Sequence, residues 1–541
     1  MPIVQPPLGT VIADRVRLNT TSHTTMPDPT PTTGATVFTA DLAGPATPLK
    51  HAWQWCVGSD HATTALRADW QQQLTQARRD LGFRHVRFHG ILDDDMGTLI
   101  CQSDEPVYSF FNTDRIFDFL LSIGMRPVVE LSFMPRMLSS GNDIVFHYQG
   151  NVTPPKDMAR WSELVRRLAA HWVERYGLDE VAQWPFECWN EPNLRAFWTA
   201  DQNAYFALYR ATAEALKSVS PRLQVGGPAT AANAWLPEFL GFCESARPDP
   251  LPVDFVSTHY YPTDPFGAID SDTITQLEHA PPGVMRTRAS EAREAVRGHA
   301  QRAGREANPP PLYYTEWNIS SNPRDTLHDD AFSAAFAARI LMEVDDQVDG
   351  YSWWTFTDIF EENYFPSVPF HGGFGLMNLY GIPKPTYRAF QMLRALGDEC
   401  VAVDGRHATL AAWVGRRRPD PAAVPVDDLT GPRVLLVNQA APRHPIAPEP
   451  VALRLALPPG RGVRAVTWSR IDADHANPAG AWRAMGSPEY LSPAQVAALT
   501  AVSQVVPEPV PFRVEGGVLV VEGVAAATSV NLVEVTWEAA A

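Results

Sequence analysis

The chain has 541 residues, more than one ordinary hydrophobic core organises, so we expect two or more domains. Its composition, 45% hydrophobic and 19% charged, is typical of a globular protein and excludes a largely disordered one. The formal net charge of −17 argues against nucleic acid and anionic membrane surfaces as partners, and no apolar run is long enough to span a bilayer.

Short apolar runs alternate with helical patterns from about residue 51 to about residue 400. The runs predict eight strands, at 53–59, 85–90, 126–131, 185–190, 223–228, 254–261, 312–317 and 350–356. They are apolar on both faces and bounded by turn residues, as buried parallel strands are. Between them, the stretch MARWSELVRRLAAHWVERYG places Trp161, Leu168 and Trp172 on one helical face. This alternation predicts an α/β fold, a (β/α)8 TIM barrel with insertions.

The pattern changes after about residue 400, where short alternating strands predict an antiparallel β-sandwich. The run VALRLALP alternates strictly, and RVLLVN, VRAVTW, GVLVVEG and NLVEVTW are similar. One helix, SPAQVAAL, is expected to begin at the N-cap Ser492. We therefore predict a catalytic barrel over 51–400 and an accessory sandwich over 401–541, with residues 1–50 adding strand to the sandwich.

The five cysteines are widely spaced and odd in number, which predicts neither a disulfide framework nor a zinc site but buried free thiols. The first residues, MPIVQPPLGT, lack the basic and apolar regions of a signal peptide. We therefore expect a cytoplasmic protein, with a periplasmic location left open. We also expect no cofactor, and a monomer in preference to a homo-oligomer.

Two glutamates lie at matching strand ends, Glu191 after the predicted fourth strand in PFECWNEPN and Glu316 at the end of the predicted seventh strand in YYTEWN. Catalytic groups of such barrels project from the carboxyl ends of the strands, so these two side chains are expected to face each other across the barrel mouth. Two carboxyl groups in one aromatic-lined mouth are what glycoside hydrolysis requires. Either glutamate alone is compatible with a salt-bridged strand end.

The motifs CVGSDHATTALRADWQ, RFHGIL, FECWNEPNL, STHYYPTD, YYTEWNIS and WTFTDIFEE resemble the β-xylosidases of glycoside hydrolase family 39 in order and spacing, over roughly residues 50 to 400. The resemblance implies that Glu191 is the acid/base and Glu316 the nucleophile. It also implies that Asn190 contacts the sugar 2-OH.

Further candidates come from the other strand ends. His89 ends the second strand, and His259 and Tyr261 end the sixth; all three are expected to bind substrate, with Tyr261 also holding the nucleophile, as the resemblance implies. The resemblance also implies that a glutamate after the eighth strand, Glu361 or Glu362, binds outer hydroxyls of the sugar.

Three further side chains are candidates for positions next to the two glutamates. Trp317 and Phe133 are candidates for an aromatic floor, with core packing as the alternative. Arg87 is expected to pair with a catalytic carboxylate.

Two signals are discounted. The glycine-rich HGGFGLMN lacks the pattern of a phosphate-binding loop and is interpreted as a turn near the pocket rim. The run of three aspartates at 93–95 is compatible with a metal site, but no second ligand cluster supports one, and a solvated loop is expected instead.

These features predict a retaining exo-glycosidase, a β-D-xylosidase that releases xylose from non-reducing ends of xylo-oligosaccharides by double displacement. An α-L-arabinofuranosidase and an α-L-iduronidase remain alternatives on the same scaffold. The acidic DIFEENYF favours a neutral sugar over an iduronide. A carbohydrate-binding protein without turnover is the alternative from another class, and it would need neither glutamate.

Overall fold

A closed barrel of parallel strands forms the centre of the computed structural model, which describes residues 34–102, 105–263, 283–362, 366–418, 429–442 and 444–539. The eight barrel strands are, in chain order, Cys56–His61, His85–His89, Arg126–Glu130, Pro185–Glu187, Gln224–Ala231, Phe255–His259, Leu312–Trp317 and Gly350–Trp353. We refer to them as the first to eighth barrel strands. Each lies where the sequence predicts a strand, so the TIM barrel is confirmed.

One principal helix follows each barrel strand. These helices span Ala68–Leu81, Phe111–Ser122, Met158–Tyr176, Gln202–Val219, Leu236–Ser245, Val284–Arg302, Ala331–Val344 and Pro385–Ala395. Met158–Tyr176 begins at Asp157, whose carboxylate accepts from two backbone N–H groups, and buries Trp161 and Trp172 as the periodicity predicts. Shorter helical turns lie at Ala52–Gln54, Ala62–Leu66, Asp94–Met96, Leu178–Val181 and Thr326–Asp329.

The fourth barrel strand ends earlier than its apolar run suggests. It stops at Glu187 rather than at residue 190, and Trp189 and Glu191 adopt left-handed backbone with φ of 69° and 41°. Such a conformation costs a residue other than glycine about 1 kcal/mol or more, so surrounding contacts must hold it. The N–H of Glu191 donates to the carbonyl of Ala229 on the neighbouring fifth strand, at 2.8 Å. Asn190 and Glu191 therefore lie on a turn anchored to the barrel.

Two further sheets form the sandwich. The five-stranded sheet contains, in spatial order, Val403–Asp404, Thr36–Asp41, Glu449–Ala456, Val518–Ala525 and Phe512–Glu515. The seven-stranded sheet contains Ala46–Pro48, Glu399–Val401, Leu410–Arg416, Thr430–Asn438, Ser529–Trp537, Val463–Ile471 and Glu508–Pro509.

Their pairing is antiparallel with one exception. Thr36–Asp41 lies parallel to Glu449–Ala456, which corrects the expectation of a purely antiparallel arrangement in the described residues. The domain boundaries at residues 50 and 400 stay a prediction.

The strand Thr430–Asn438 of the seven-stranded sheet is buried on both faces. In Thr430–Asn438, Val434 and Leu436 pack with the five-stranded sheet, whereas Leu435 and Val437 pack with the barrel helices. A strand that is covered on both faces has apolar residues at successive positions instead of apolar residues alternating with polar ones, as RVLLVN does. The sandwich thus lies against the outside of the barrel, and it contributes none of the described residues that line the pocket.

Smaller features complete the described chain. Two hairpins pair Leu99–Gln102 with Glu105–Tyr108, and Ile144–Val145 with Gly150–Asn151. The predicted helix spans Pro493–Val502, with Ser492 in a capping box, and a second helix, Pro478–Ala484, was not predicted. All five cysteines are free, and Cys101 is exposed rather than buried as expected. Among the described helices, none is long and apolar enough to cross a membrane.

Candidate active site

Glu191 and Glu316 meet in one pocket at the carboxyl ends of the barrel strands. Their side chains are nearly buried, with 6% and 5% of the residue surface exposed. A carboxylate oxygen of one lies within 4.8 Å of a carboxylate oxygen of the other. Two carboxyl groups this close cannot both carry a charge in a buried site without a compensating cation.

That cation is Arg87, on the second barrel strand. Its guanidinium is fully buried and donates from Nη1 to Glu316 at 2.8 Å, from Nε to Glu187 at 2.5 Å and from Nη2 to Asn190 Oδ1 at 2.9 Å. Nη2 also lies 2.7 Å from Glu130. Burial alone lowers the pKa of Arg87, but the three carboxylates outweigh it and raise the pKa. The arginine therefore stays charged and joins the second, third, fourth and seventh strands.

The pKa values of the two glutamates are shifted by different surroundings. Burial raises the pKa of Glu191 well above its usual range, and the negative charge of Glu316 raises it further. Burial also raises the pKa of Glu316, but Arg87, His89 and the hydroxyl of Tyr261 oppose that shift. Tyr261 donates to Glu316 Oε2 at 2.8 Å. The surroundings therefore favour a proton on Glu191 over a proton on Glu316.

Asn190 has its amide orientation fixed by Arg87. Because a guanidinium only donates hydrogen bonds, the atom it meets at 2.9 Å is the amide oxygen. The NH2 group of Asn190 is then the donor available in the pocket that this residue lines.

Aromatic and polar side chains line the pocket around the two glutamates. The lining residues are His89, Phe146, Asn190, Glu191, Phe197, Tyr261, Glu316, Ser321, Pro323, Trp354, Glu362 and Phe374. His89, Asn190, Tyr261 and Glu362 were therefore brought together as the sequence predicts.

Glu361 and Glu362 are separated by the structure although they are adjacent in sequence. Glu362 lines the pocket, with Oε1 buried, without a hydrogen-bond partner in the described residues and 3.6 Å from His89 Nε2. Burial raises the pKa of Glu362 well above its usual range. Glu361 instead lies 3.1 Å from His61 Nδ1, outside the pocket lining.

The expected aromatic floor is not formed by the residues considered for it. Trp317 is fully buried and packs edge-on against Trp353, so it belongs to the core, which was the alternative. It points away because its neighbour Glu316 takes the inward position, and side chains alternate along a strand. Phe133 is also buried, behind His89 and stacked on Phe197. His259 does not line the pocket either, but lies behind Glu191 with Nδ1 at 3.0 Å from Oε1.

The aromatic wall consists instead of Phe146, Phe197, Trp354 and Phe374. Trp354 follows the eighth strand directly. Its position at a strand end could have identified it from the sequence as a pocket residue. Phe374 lies in HGGFGLMN, the segment that the sequence predicts to be a turn near the pocket rim, and it lines the pocket. Phe146 and Phe197 lie in long loops, and no sequence pattern identifies them.

Asp93 corrects the expectation of a solvated loop at 93–95. It is 4% exposed, and its carboxylate lies 3.1 Å from Nε2 of the buried His61, whose ring stacks on Tyr148 at 3.8 Å. Asp95 lies 3.4 Å from the same nitrogen. These three side chains form a hydrogen-bonded ion-pair cluster, which the sequence did not reveal because His61 is distant from the aspartates in sequence.

Comparisons with known proteins give related sequences and structures. The model of the glycosyl hydrolases family 39 matches residues 38–519. A protein from Caldicellulosiruptor saccharolyticus named "Beta-xylosidase" is 44% identical over 465 residues, which is 85% of this chain and 90% of that protein. A monomeric beta-xylosidase from Caulobacter crescentus CB15 is 36% identical, with a TM-score of 0.77 over 93% of this chain and 99% of that one. The family 39 enzyme from Xanthomonas axonopodis pv. citri is 34% identical, with a TM-score of 0.78 over 93% and 98%.

Proposed function

The chain belongs to family 39 of the glycosyl hydrolases, and from this premise we propose that it is a retaining β-D-xylosidase acting on the non-reducing ends of xylo-oligosaccharides. The observation that carries the proposal is the pair of glutamates with unequal surroundings. Membership of a hydrolase family removes the alternative of a binding protein without turnover.

The short separation of the carboxyl groups supports retention of configuration. Their oxygens approach within 4.8 Å, whereas inverting enzymes hold the two groups about 6.5–9.5 Å apart to admit a water molecule. In the first step, Glu316 attacks the anomeric carbon and Glu191 gives its proton to the leaving oxygen. In the second, Glu191 takes a proton from water, which attacks the glycosyl ester and releases Glu316.

The sugar contacts follow from the pocket lining. The NH2 group of Asn190 donates to the 2-OH, a bond that strengthens as positive charge develops at the ring. His89 and Glu362 bind the outer hydroxyls, Glu362 through the oxygen that has no partner within the described chain. Trp354 supplies an apolar face for the sugar ring.

A neutral sugar fits this lining better than a uronic acid. Three glutamates line the pocket, and none of the described lining residues is Lys or Arg. An iduronide carboxylate would therefore enter an acidic pocket without a cation beside it, which disfavours an α-L-iduronidase. An α-L-arabinofuranoside is also neutral, and the assay below separates it from a β-D-xyloside.

The test is hydrolysis of nitrophenyl β-D-xyloside, nitrophenyl α-L-arabinofuranoside and a fluorogenic α-L-iduronide. We expect the highest kcat/KM on the xyloside, and release of β-xylose as the first product in an NMR time course. Glu316→Gln and Glu191→Gln are the matched variants. Dominant activity on another sugar would overturn the assigned substrate, and α-xylose as first product would overturn retention.

A further inference from the structure

A continuous series of hydrogen-bonding side chains leads from Arg87 to Glu191. Arg87 donates from Nε to Glu187 Oε2 at 2.5 Å, and Thr315 donates from Oγ1 to Glu187 Oε1 at 2.8 Å. Thr315 Oγ1 lies 3.1 Å from Nε2 of His259, and Nδ1 of that ring lies 3.0 Å from Glu191 Oε1. Glu187, Thr315 and His259 are all fully buried, so water does not replace any of these contacts.

Counting the protons fixes the direction of each bond. Thr315 has one hydroxyl proton, and the carboxylate of Glu187 can only accept it. The oxygen of Thr315 must then accept from His259, which places the ring proton on Nε2. Burial lowers the pKa of His259 well below its usual range, so the ring is neutral and carries one proton only. Its Nδ1 therefore carries no proton, and the lone pair of this atom is directed at Glu191.

We propose that His259, held in the Nε2–H tautomer by Thr315 and Glu187, accepts a hydrogen bond from the carboxyl proton of Glu191 and keeps that residue in its acid form before substrate binds. This inference rests on the proposed function and extends it. His259, Thr315 and Glu187 are positioning residues, since they act through Glu191 and do not touch substrate.

The same arrangement acts in both steps of the reaction. In the first step, the leaving oxygen of the substrate competes with Nδ1 for the proton and takes it as the glycosidic bond breaks. Glu191 then faces the lone pair of Nδ1 as a carboxylate, and two acceptors in contact repel. That repulsion makes the carboxylate a stronger base, which favours recovery of the proton from the attacking water.

Other charged groups face this pair from several elements and act on the same titration. They are Arg87 and His89 on the second strand, Glu130 on the third, Glu316 on the seventh and Glu362 after the eighth. A substitution at Thr315 changes none of these groups. A change of pH profile in a Thr315 variant therefore reports on the two contacts that Thr315 makes, with His259 and with Glu187.

Thr315→Val tests the proposal, because it keeps the shape of the side chain and removes its hydroxyl. Without that hydroxyl, His259 can carry its proton on Nδ1, donate to Glu191 and stabilise the carboxylate. We expect the high-pH limb of kcat/KM to move to lower pH, with about a tenfold loss at pH 8 for a phenyl β-xyloside. Thr315→Ser should restore the wild-type profile.

A substrate with a good leaving group separates this effect from general damage. The dinitrophenolate of a 2,4-dinitrophenyl β-xyloside leaves without being protonated, so Thr315→Val should cleave this substrate at close to the wild-type rate. A high-pH limb that stays in place on the phenyl xyloside would overturn the proposal. So would an equal loss on both substrates.

Neutron diffraction of the wild-type protein at neutral pD gives a second measurement that needs neither a variant nor a substrate. We expect deuterium on His259 Nε2 and on Glu191 Oε1, and none on His259 Nδ1. Deuterium on Nδ1 beside a bare Glu191 carboxylate would refute the proposal. Failure to hydrolyse xylosides would instead overturn the proposed function and leave the observed tautomer standing.

Discussion

Tyr261→Phe removes one hydroxyl and with it the 2.8 Å hydrogen bond to Glu316 Oε2. Glu316 is only 5% exposed, so solvent does not replace the lost donor. A hydrogen bond to a charged group contributes about 1.5–3 kcal/mol, which corresponds to a loss of roughly tenfold to 150-fold in kcat/KM. The bond also lowers the pKa of Glu316, so the variant should have a higher pKa there. Glu316, the proposed nucleophile, would then be protonated at higher pH, and the low-pH limb of kcat/KM should move to higher pH.

The assay is the pH profile of kcat/KM on 2,4-dinitrophenyl β-xyloside, which separates the proposed nucleophile Glu316 from the proposed acid Glu191. Tyr260→Phe is the matched control, because the adjacent tyrosine packs in the barrel core and loses the same hydroxyl. We expect the control to stay within about twofold of wild type, as surface and core changes away from the site do not alter charge stabilisation. A Tyr261→Phe profile whose low-pH limb coincides with wild type would refute the role given to this hydroxyl.

Three further predictions follow from the buried charges. Arg87→Met leaves its carboxylate partners unpaired and should lower the free energy of unfolding in urea by about 3–5 kcal/mol, whereas Arg513→Met, on an exposed pair, should not move the midpoint. Glu362→Gln should lower kcat/KM about tenfold through KM, and Glu361→Gln should not; equal effects would contradict the assignment. Burial raises the pKa of Asp60 to about 7, so its ionisation opposes folding increasingly as pH rises from the unfolded value towards 7. Asp60→Asn should therefore raise the thermal midpoint more at pH 8 than at pH 4.

Features that depend on one strand were predictable from the sequence. The eight barrel strands are buried on both faces and therefore appear as apolar runs; Glu316 lies at the carboxyl end of one of them, and Glu191 follows another. The order of the predicted strands indicates which strand ends lie together at the barrel mouth. The two glutamates could therefore be paired without knowledge of the loops. The same logic places Tyr261 in the pocket.

Features that depend on how loops fold over the barrel were not predictable. Trp317 and Trp354 are both tryptophans near strand ends, but only Trp354 reaches the pocket. Phe146 and Phe197 arrive from the loops after the third and fourth strands, where no periodicity constrains the side chains. The contact of His61 with Asp93 joins separate strand ends, and a single histidine in sequence does not indicate its partner.

The parallel pairing of Thr36–Asp41 with Glu449–Ala456 has a consequence for the order of folding. Thr36 pairs with Val451, so Thr36–Asp41 is synthesised about 400 residues before its partner strand. Loop closure over that distance is slow. The five-stranded sheet closes only after the ribosome has made the whole barrel. We infer that this pairing forms late in folding, because Thr36–Asp41 precedes the barrel in the chain and Glu449–Ala456 follows it.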